Sequence, residues 1–329
     1  MFVETFPRLA VRLRSMFPDA QVELQENSKG LRVLFSAFPN WELEVAAVAA
    51  QKGFSVFQTS LVLRYDCLQD IPEEDYLRLI SAENLGLRVV TLLAEAEGTR
   101  RSIRIRSSFI GQKGRTRDEA ESLAIDVLSQ VRFARILEDR ITRSMAGENF
   151  SYEMYYSQYL SKSIGRNRFI NYARSIFQGS CERVFGQVTS MIREDYKYKV
   201  HSSKQLIATV NPPSSQLEIM VRIPEEIPVL TCTAPLYKSA AEPLETFRLV
   251  ARLNSLVPSG HFEVSADGSL ISYVIWKHLT NDLRFYSLDQ MIAAVHQAER
   301  LLLTEMPARG LGKETTREST PADAYRISA

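Results

Sequence analysis

Tyr76-Leu77-Arg78-Leu79-Ile80-Ser81-Ala82-Glu83-Asn84 and Thr246-Phe247-Arg248-Leu249-Val250-Ala251-Arg252-Leu253-Asn254 decide how this chain folds. The second stretch repeats the apolar, Arg and Asn positions of the first, 170 residues further on. The same offset carries Gly98 onto Gly268. Each glycine lies in a turn (Ala96-Glu97-Gly98-Thr99 and Ala266-Asp267-Gly268-Ser269) between two strand-like runs, where it supplies the positive φ a hairpin demands. The strands that follow align as Ile103/Ile105 with Tyr273/Ile275. With one residue of slip, Thr116-Arg117-Asp118-Glu119 matches Ser287-Leu288-Asp289-Gln290. Both fit the S/T-x-x-E/Q box that satisfies orphan N–H groups at a helix start. Leu123, Ala124, Val127, Leu128 and Val131 then mark the apolar face of the first helix, and Met291, Val295, Ala298 and Leu302 that of the second. A register held over about 55 residues marks an internal repeat.

Upstream the order of elements is alike. The first copy opens on a helix with apolar Leu9, Val11, Leu13, Met16 and Phe17, followed by strand-like runs Gln21–Leu24, Leu31–Phe35, Leu43–Ala47 and Phe54–Leu63. The second has a helix through Phe185, Val188, Met191 and Ile192, then Lys197–Val200, Gln205–Val210, Leu217–Val221 and Val229–Thr233. The expected fold class is α+β: two similar domains, each an antiparallel sheet packed with helices. The expected boundaries are 1–145 and 181–306, with a helical connector over 146–180 and a disordered tail over 307–329.

Composition narrows the function. The chain has 329 residues, 45% of them apolar and 24% charged, as in ordinary globular proteins. Lys and Arg number 40 against 39 Asp and Glu, so no global charge draws it to nucleic acid or an anionic membrane. No run approaches the 20 or so apolar residues of a membrane span. The opening Met1-Phe2-Val3-Glu4-Thr5-Phe6-Pro7-Arg8 does not read as a signal peptide. Cys67, Cys181 and Cys232 are too scattered for a disulfide framework or a zinc site, and a reducing cytoplasm fits them.

The repeated unit runs from the helix holding Phe247-Arg248-Leu249-Val250 and Asn254, through the Gly268 hairpin, to the closing helix. It resembles the YbjN domain over about 125 residues of each copy. YbjN proteins are similar to type III secretion chaperones, small α+β domains that often dimerise and hold a segment of a partner protein. The resemblance implies a bacterial, non-enzymatic, chaperone-like regulator with no catalytic residues to carry over. A tandem copy implies a chaperone dimer mimicked in one chain, whether as a monomeric pseudo-dimer or as a homodimer.

The residues themselves offer little chemistry. His201, His261, His278 and His296 have no neighbours at metal-ligand spacing, and neither H-E-x-x-H nor G-x-S-x-G occurs. Gly310-Leu311-Gly312-Lys313 lacks the spacing of a phosphate loop. Glu73, Glu74 and Asp75, after Pro72, suit the positive end of a helix dipole. No catalytic, metal or cofactor residue is expected.

Three features point to binding. Arg100, Arg101, Arg104, Arg106, Lys113, Arg115 and Arg117 fall within 18 residues. They form either a solvated sheet face or a site for an anion, with Arg104, Arg106, Lys113, Arg115 and Arg117 as its ligands. Only Phe109 is near for base stacking, which weakens a nucleic-acid reading. At the 170-residue offset Arg104 and Arg106 become Val274 and Trp276. An apolar strand face must be covered by the chain or by a partner. Tyr152, Tyr155, Tyr156 and Tyr159 form a stripe on one helical face of the connector, suited either to packing between the two domains or to an interface with a partner. The expected function is a cytoplasmic protein-binding adaptor that holds a partner segment through these tyrosines, Val274 and Trp276. Nucleic-acid or phosphate-ligand binding is the alternative.

Overall fold

The structure, a computed structural model, describes residues 4–25, 30–51, 54–84, 90–97, 100–112, 116–144, 150, 155, 186, 197–202, 205–210, 217–222, 229–238, 242–265, 268–278 and 286–306. The expected helix around 185–192 lies outside them apart from Gly186, as do most of the connector and the whole tail.

The first half begins with helix α1 (Thr5–Met16) and strands β1 (Ala20–Leu24), β2 (Gly30–Phe35), β3 (Trp41–Gln51) and β4 (Phe54–Leu63). A 3-10 turn (Asp66–Gln69) leads to α2 (Glu73–Asn84), and β5 (Thr91–Glu97), β6 (Arg100–Gln112) and α3 (Thr116–Ser144) complete it. The second half holds β7 (Lys197–Ser202), β8 (Gln205–Val210), β9 (Leu217–Arg222) and β10 (Val229–Lys238), then α4 (Pro243–Leu256), β11 (His261–Val264), β12 (Leu270–His278) and α5 (Tyr286–Glu305).

Period-two patterning makes the strands. Trp41, Leu43 and Val45 are buried on β3, with Glu42 and Glu44 on its other face. Helix α1 buries Phe6, Leu9, Ala10 and Leu13, spaced i, i+3, i+4, i+7, against the sheet and α3. Val11, expected on that face, is 66% exposed, because it falls about 100° away from Ala10 around the helix. Helix α2 starts on the acids Glu73, Glu74 and Asp75, and α4 starts on a proline, as helix N-termini favour. On α3 and α5 the expected faces are buried, except that Leu128 is half-buried.

Both sheets have six antiparallel strands and one connectivity. The first runs β1-β2-β3-β4-β6-β5, and the second β7-β8-β9-β10-β12-β11. Each strand of one sheet therefore has a counterpart at the same place in the other. The ladder corrects one alignment. Thr91 pairs with Arg106, whereas its counterpart His261 pairs with Val274. The second hairpin is two residues shorter, so Arg106 matches Val274 and Arg104 matches Ser272, and Trp276 falls opposite the place of Ser108. A slip of two keeps every side chain on its own face, where a slip of one would have inverted the strand.

Candidate functional site: the seam between the sheets

Two asparagines define the seam. Asn84, the last residue of α2, donates from Nδ2 to Leu92 O at 2.9 Å and accepts from Leu92 N at 2.7 Å. Asn254, 170 residues on, does the same to Phe262, at 3.0 and 2.6 Å. Each amide offers one donor and one acceptor to the outer side of an edge strand, as a neighbouring strand would, and so closes that edge. Replacing either with Ala strands an N–H and a C=O beside a buried strand. Each variant is expected to lose about 2–4 kcal/mol, read as a lower urea midpoint with unchanged slope. Equal stability of wild type and both variants would show that water replaces the amide freely.

The two halves meet through these parts. Helix α2 packs on α4 and β11, and α4 packs reciprocally on α2 and β5. Arg248 on α4 grips Glu73 on α2 with two bonds, Nε to Oε1 at 3.0 Å and Nη2 to Oε2 at 2.8 Å. This fork holds the Glu73 carboxyl below the usual carboxylate range.

Deeper in the seam, Thr91 Oγ1 lies 3.2 Å from His261 Nδ1, and His261 Nε2 lies 3.0 Å from Glu263 Oε1. The ring of His261 sits 5.3 Å from that of Trp276. Hydroxyl, imidazole and carboxylate in this order are the parts of a nucleophilic triad. Here Thr91 is 1% exposed and His261 0%, so no substrate can reach the hydroxyl. The row ties β5 to β11.

Arg106 occupies the other side of the seam and is 3% exposed. Its Nη1 donates to Val257 O at 2.7 Å and its Nη2 to Gly260 O at 3.2 Å. Ser108 Oγ donates to Pro258 O at 2.7 Å, and Tyr273 Oη donates to Ser259 O. All four carbonyls of the loop between α4 and β11 are thereby held. Burial pushes the Arg106 guanidinium down to about 10, so it stays charged at neutral pH.

The expected binding residues therefore divide. Arg106 is spent on backbone carbonyls across the seam, and Arg104 on Glu95 and, at 2.9 Å, on Ser60 Oγ. The expected open basic face is in this respect an internal contact, because each guanidinium finds acceptors within the chain. Lys113 and Arg115 lie outside the described residues. Arg117 falls in the first turn of α3. Val274 and Trp276 are 0% and 7% exposed, so the fold itself covers the apolar face expected to receive a partner.

Of the tyrosine stripe, Tyr152, Tyr156 and Tyr159 lie outside the described residues. Tyr155 is fully buried against the first half, where its hydroxyl donates to Glu83 Oε1, the oxygen that also accepts from Arg140 Nη1 at 2.8 Å. Burial and the Glu83 carboxylate raise the Tyr155 pKa, so the hydroxyl stays protonated as the donor. Burial alone would lower the Arg140 guanidinium, but Glu83 and Tyr155 hold it above its ordinary value.

Among the described side chains, His261, His296, Cys67 and Cys232 form no reactive pair. His261 is held as above, and His296 is half-buried on α5 and pushed down by burial. Burial raises the Cys67 thiol and pushes Cys232 up to about 12, which disfavours the nucleophilic thiolate. Among the described residues no three His, Cys, Asp or Glu side chains converge as a metal site requires, and no helix is long and apolar enough to cross a membrane.

Sequence reasoning quoted Asn84 and Asn254 as matching letters and missed their role. An asparagine at the same repeat position, eight residues before a strand residue, was the available signal. Glu83, Thr91, Arg140 and Glu263 carried no comparable mark. No protein-family model matches the chain, and no curated protein matches it significantly.

Proposed function

We propose that this chain is a non-enzymatic protein-binding adaptor or chaperone-like regulator. In this reading, residues 1–145 and 181–306 are two domains of one secretion-chaperone-like fold, acting as a pseudo-dimer in the cytoplasm of a bacterium. The observation that carries the reading is the shared strand order of the two sheets, joined by counterpart helices α2 and α4. Two such units that pack reciprocally, α2 on β11 and α4 on β5, have the form of an isologous dimer. Supporting it, among the described residues Thr91, His261 and Glu263 are engaged with one another in a buried row and Arg106 with backbone carbonyls. An anion-binding reading loses Arg104 and Arg106 to internal partners and rests on Lys113, Arg115 and Arg117.

The test is affinity purification of the tagged full chain from its native host, with mass spectrometry of what is retained. One or a few proteins held near one-to-one after a high-salt wash are expected, with light scattering giving 37.4 kDa for the free chain. Retention of nucleic acid alone, lost as salt rises, would transfer the assignment to the basic stretch. Turnover of a small molecule by the purified chain would end the non-enzymatic reading.

A further inference from the structure

We propose that Gln130 is the positioning residue that fixes the axial register of α3 on the first sheet, and so holds Arg140 opposite Glu83. Its Nε2 donates to Thr59 O at 3.0 Å and to Thr59 Oγ1 at 2.6 Å, which commits both amide N–H groups to one residue of β4. Gln130 and Thr59 are each 0% exposed. The apolar face around them indexes the helix poorly. Between residues 120 and 134 its buried side chains are Ala120, Leu123, Ala124, Val127, Val131 and Ala134, and of these Leu123 alone is larger than valine. Unique placement comes from interdigitating shapes, and shallow side chains repeated turn by turn supply few. Thr5 Oγ1 also bonds α3, donating to Glu119 Oε2 at 3.1 Å, but it does so from α1 and not from the sheet.

The second half places its helix by side-chain size. The ladders set Thr59 opposite Ser107 and, at the counterpart position, Cys232 opposite Ile275. The helix caps align Gln130 with Leu301. Three polar positions of the first half are thus apolar in the second. Met291, Val295 and Leu302 stand where α3 has Ala120, Ala124 and Val131, so α5 presents the larger side chains at three matched positions, although Ala298 stands for Val127. The polar set is not the most stable filling of its space. Among the described residues, Ser107 Oγ and Gln130 Oε1 are buried with no hydrogen-bond partner, a cost that apolar side chains of similar volume avoid. A buried polar contact that adds no stability can still specify one arrangement, as a single polar residue does in a coiled-coil seam. The register is used further along the helix. Helix α3 has 29 residues against 20 for α5, and its extra length carries Arg140, about 15 Å beyond Gln130. A shift of one turn, about 5.4 Å, would take Arg140 away from Glu83, which it meets at 2.8 Å, and would dismantle the acceptor site of Tyr155. The amide in the core therefore positions the place where Tyr155 docks, whether or not the chain proves to be an adaptor.

Methyl NMR of the full chain, read beside urea unfolding, tests the assignment. In Thr59→Val/Gln130→Leu the urea midpoint is expected to stay at or above that of wild type. The methyl peaks of Leu137 and Ile141 are expected to broaden by exchange or to gain a second set of at least about 10% of the first. Val295 and Leu302 on α5 keep single sharp peaks as the internal control. Gln130→Met, which leaves Thr59 in place, is expected to disturb Leu137 and Ile141 in the same way and serves if the double variant does not fold. A merely stabilising contact would instead lower the midpoint and leave one sharp set. One sharp set for Leu137 and Ile141 in either folded variant, or failure of both variants to fold, would overturn the proposal.

Discussion

Glu83→Ala is expected to destabilise the chain by about 3–5 kcal/mol, the range for removing one partner of a buried ion pair. The carboxylate side chain is 4% exposed and accepts at one oxygen from both Arg140 and Tyr155. Its loss removes the carboxylate that a guanidinium 12% exposed and a buried hydroxyl share. Tyr155→Phe keeps the Glu83–Arg140 ion pair and removes the hydroxyl with its bonds to Glu83 and Arg140, so its expected cost is smaller, about 1–2 kcal/mol. Urea unfolding of the two variants and of Glu83→Gln, which keeps the shape but not the charge, separates charge from packing. A Glu83→Ala cost no larger than that of Tyr155→Phe would mean that solvent reaches Arg140 and compensates it.

Gly260→Ala should lose about 2–4 kcal/mol, combining the strain of a left-handed residue with overpacking against Tyr273 and the backbone of β12. Gly268 is the internal comparison. It also has positive φ, at +76°, but an added Cβ there would meet Pro243 Cβ at 3.2 Å, a contact that a small shift relieves. Gly268→Ala should cost about 1 kcal/mol. The two substitutions share a conformational penalty and differ in steric surroundings, so the gap between their unfolding midpoints measures the rigidity of the α4–β11 corner. Equal midpoints would show that both the Tyr273 side chain and the β12 backbone at Val274 give way.

Much of the fold was legible because its signals are local. Alternation along 31–35 and 41–47, acids ahead of α2, a proline opening α4 and glycine in the second hairpin each act within a few residues, and the elements fall where they indicate. The repeat was legible for a different reason. Asn84 and Asn254 make the same two bonds, so the same letter recurs. The seam was not legible. Arg106 finds Val257 across 151 positions of chain, and nothing near either residue announces the other. The arginines of β6 read as an open basic face because a strand pattern tells which side chains share a face, and not what lies against it. Tyr155 read as part of an interface stripe, and its burial against Glu83 depends on how the chain folds back, which spacing cannot report.

The unequal hairpins limit how this molecule can change. Since the second is shorter than the first by two residues with every side chain still on its proper face, insertions and deletions at these bends are tolerated in pairs. A single added or lost codon would exchange Ile103 and Ile105 with Arg104 and Arg106, or Ile271 and Tyr273 with Ser272 and Val274, between the two faces of the sheet. Among any descendants of this gene, length differences at the two bends should be even numbers, a pattern that can be counted without purifying anything.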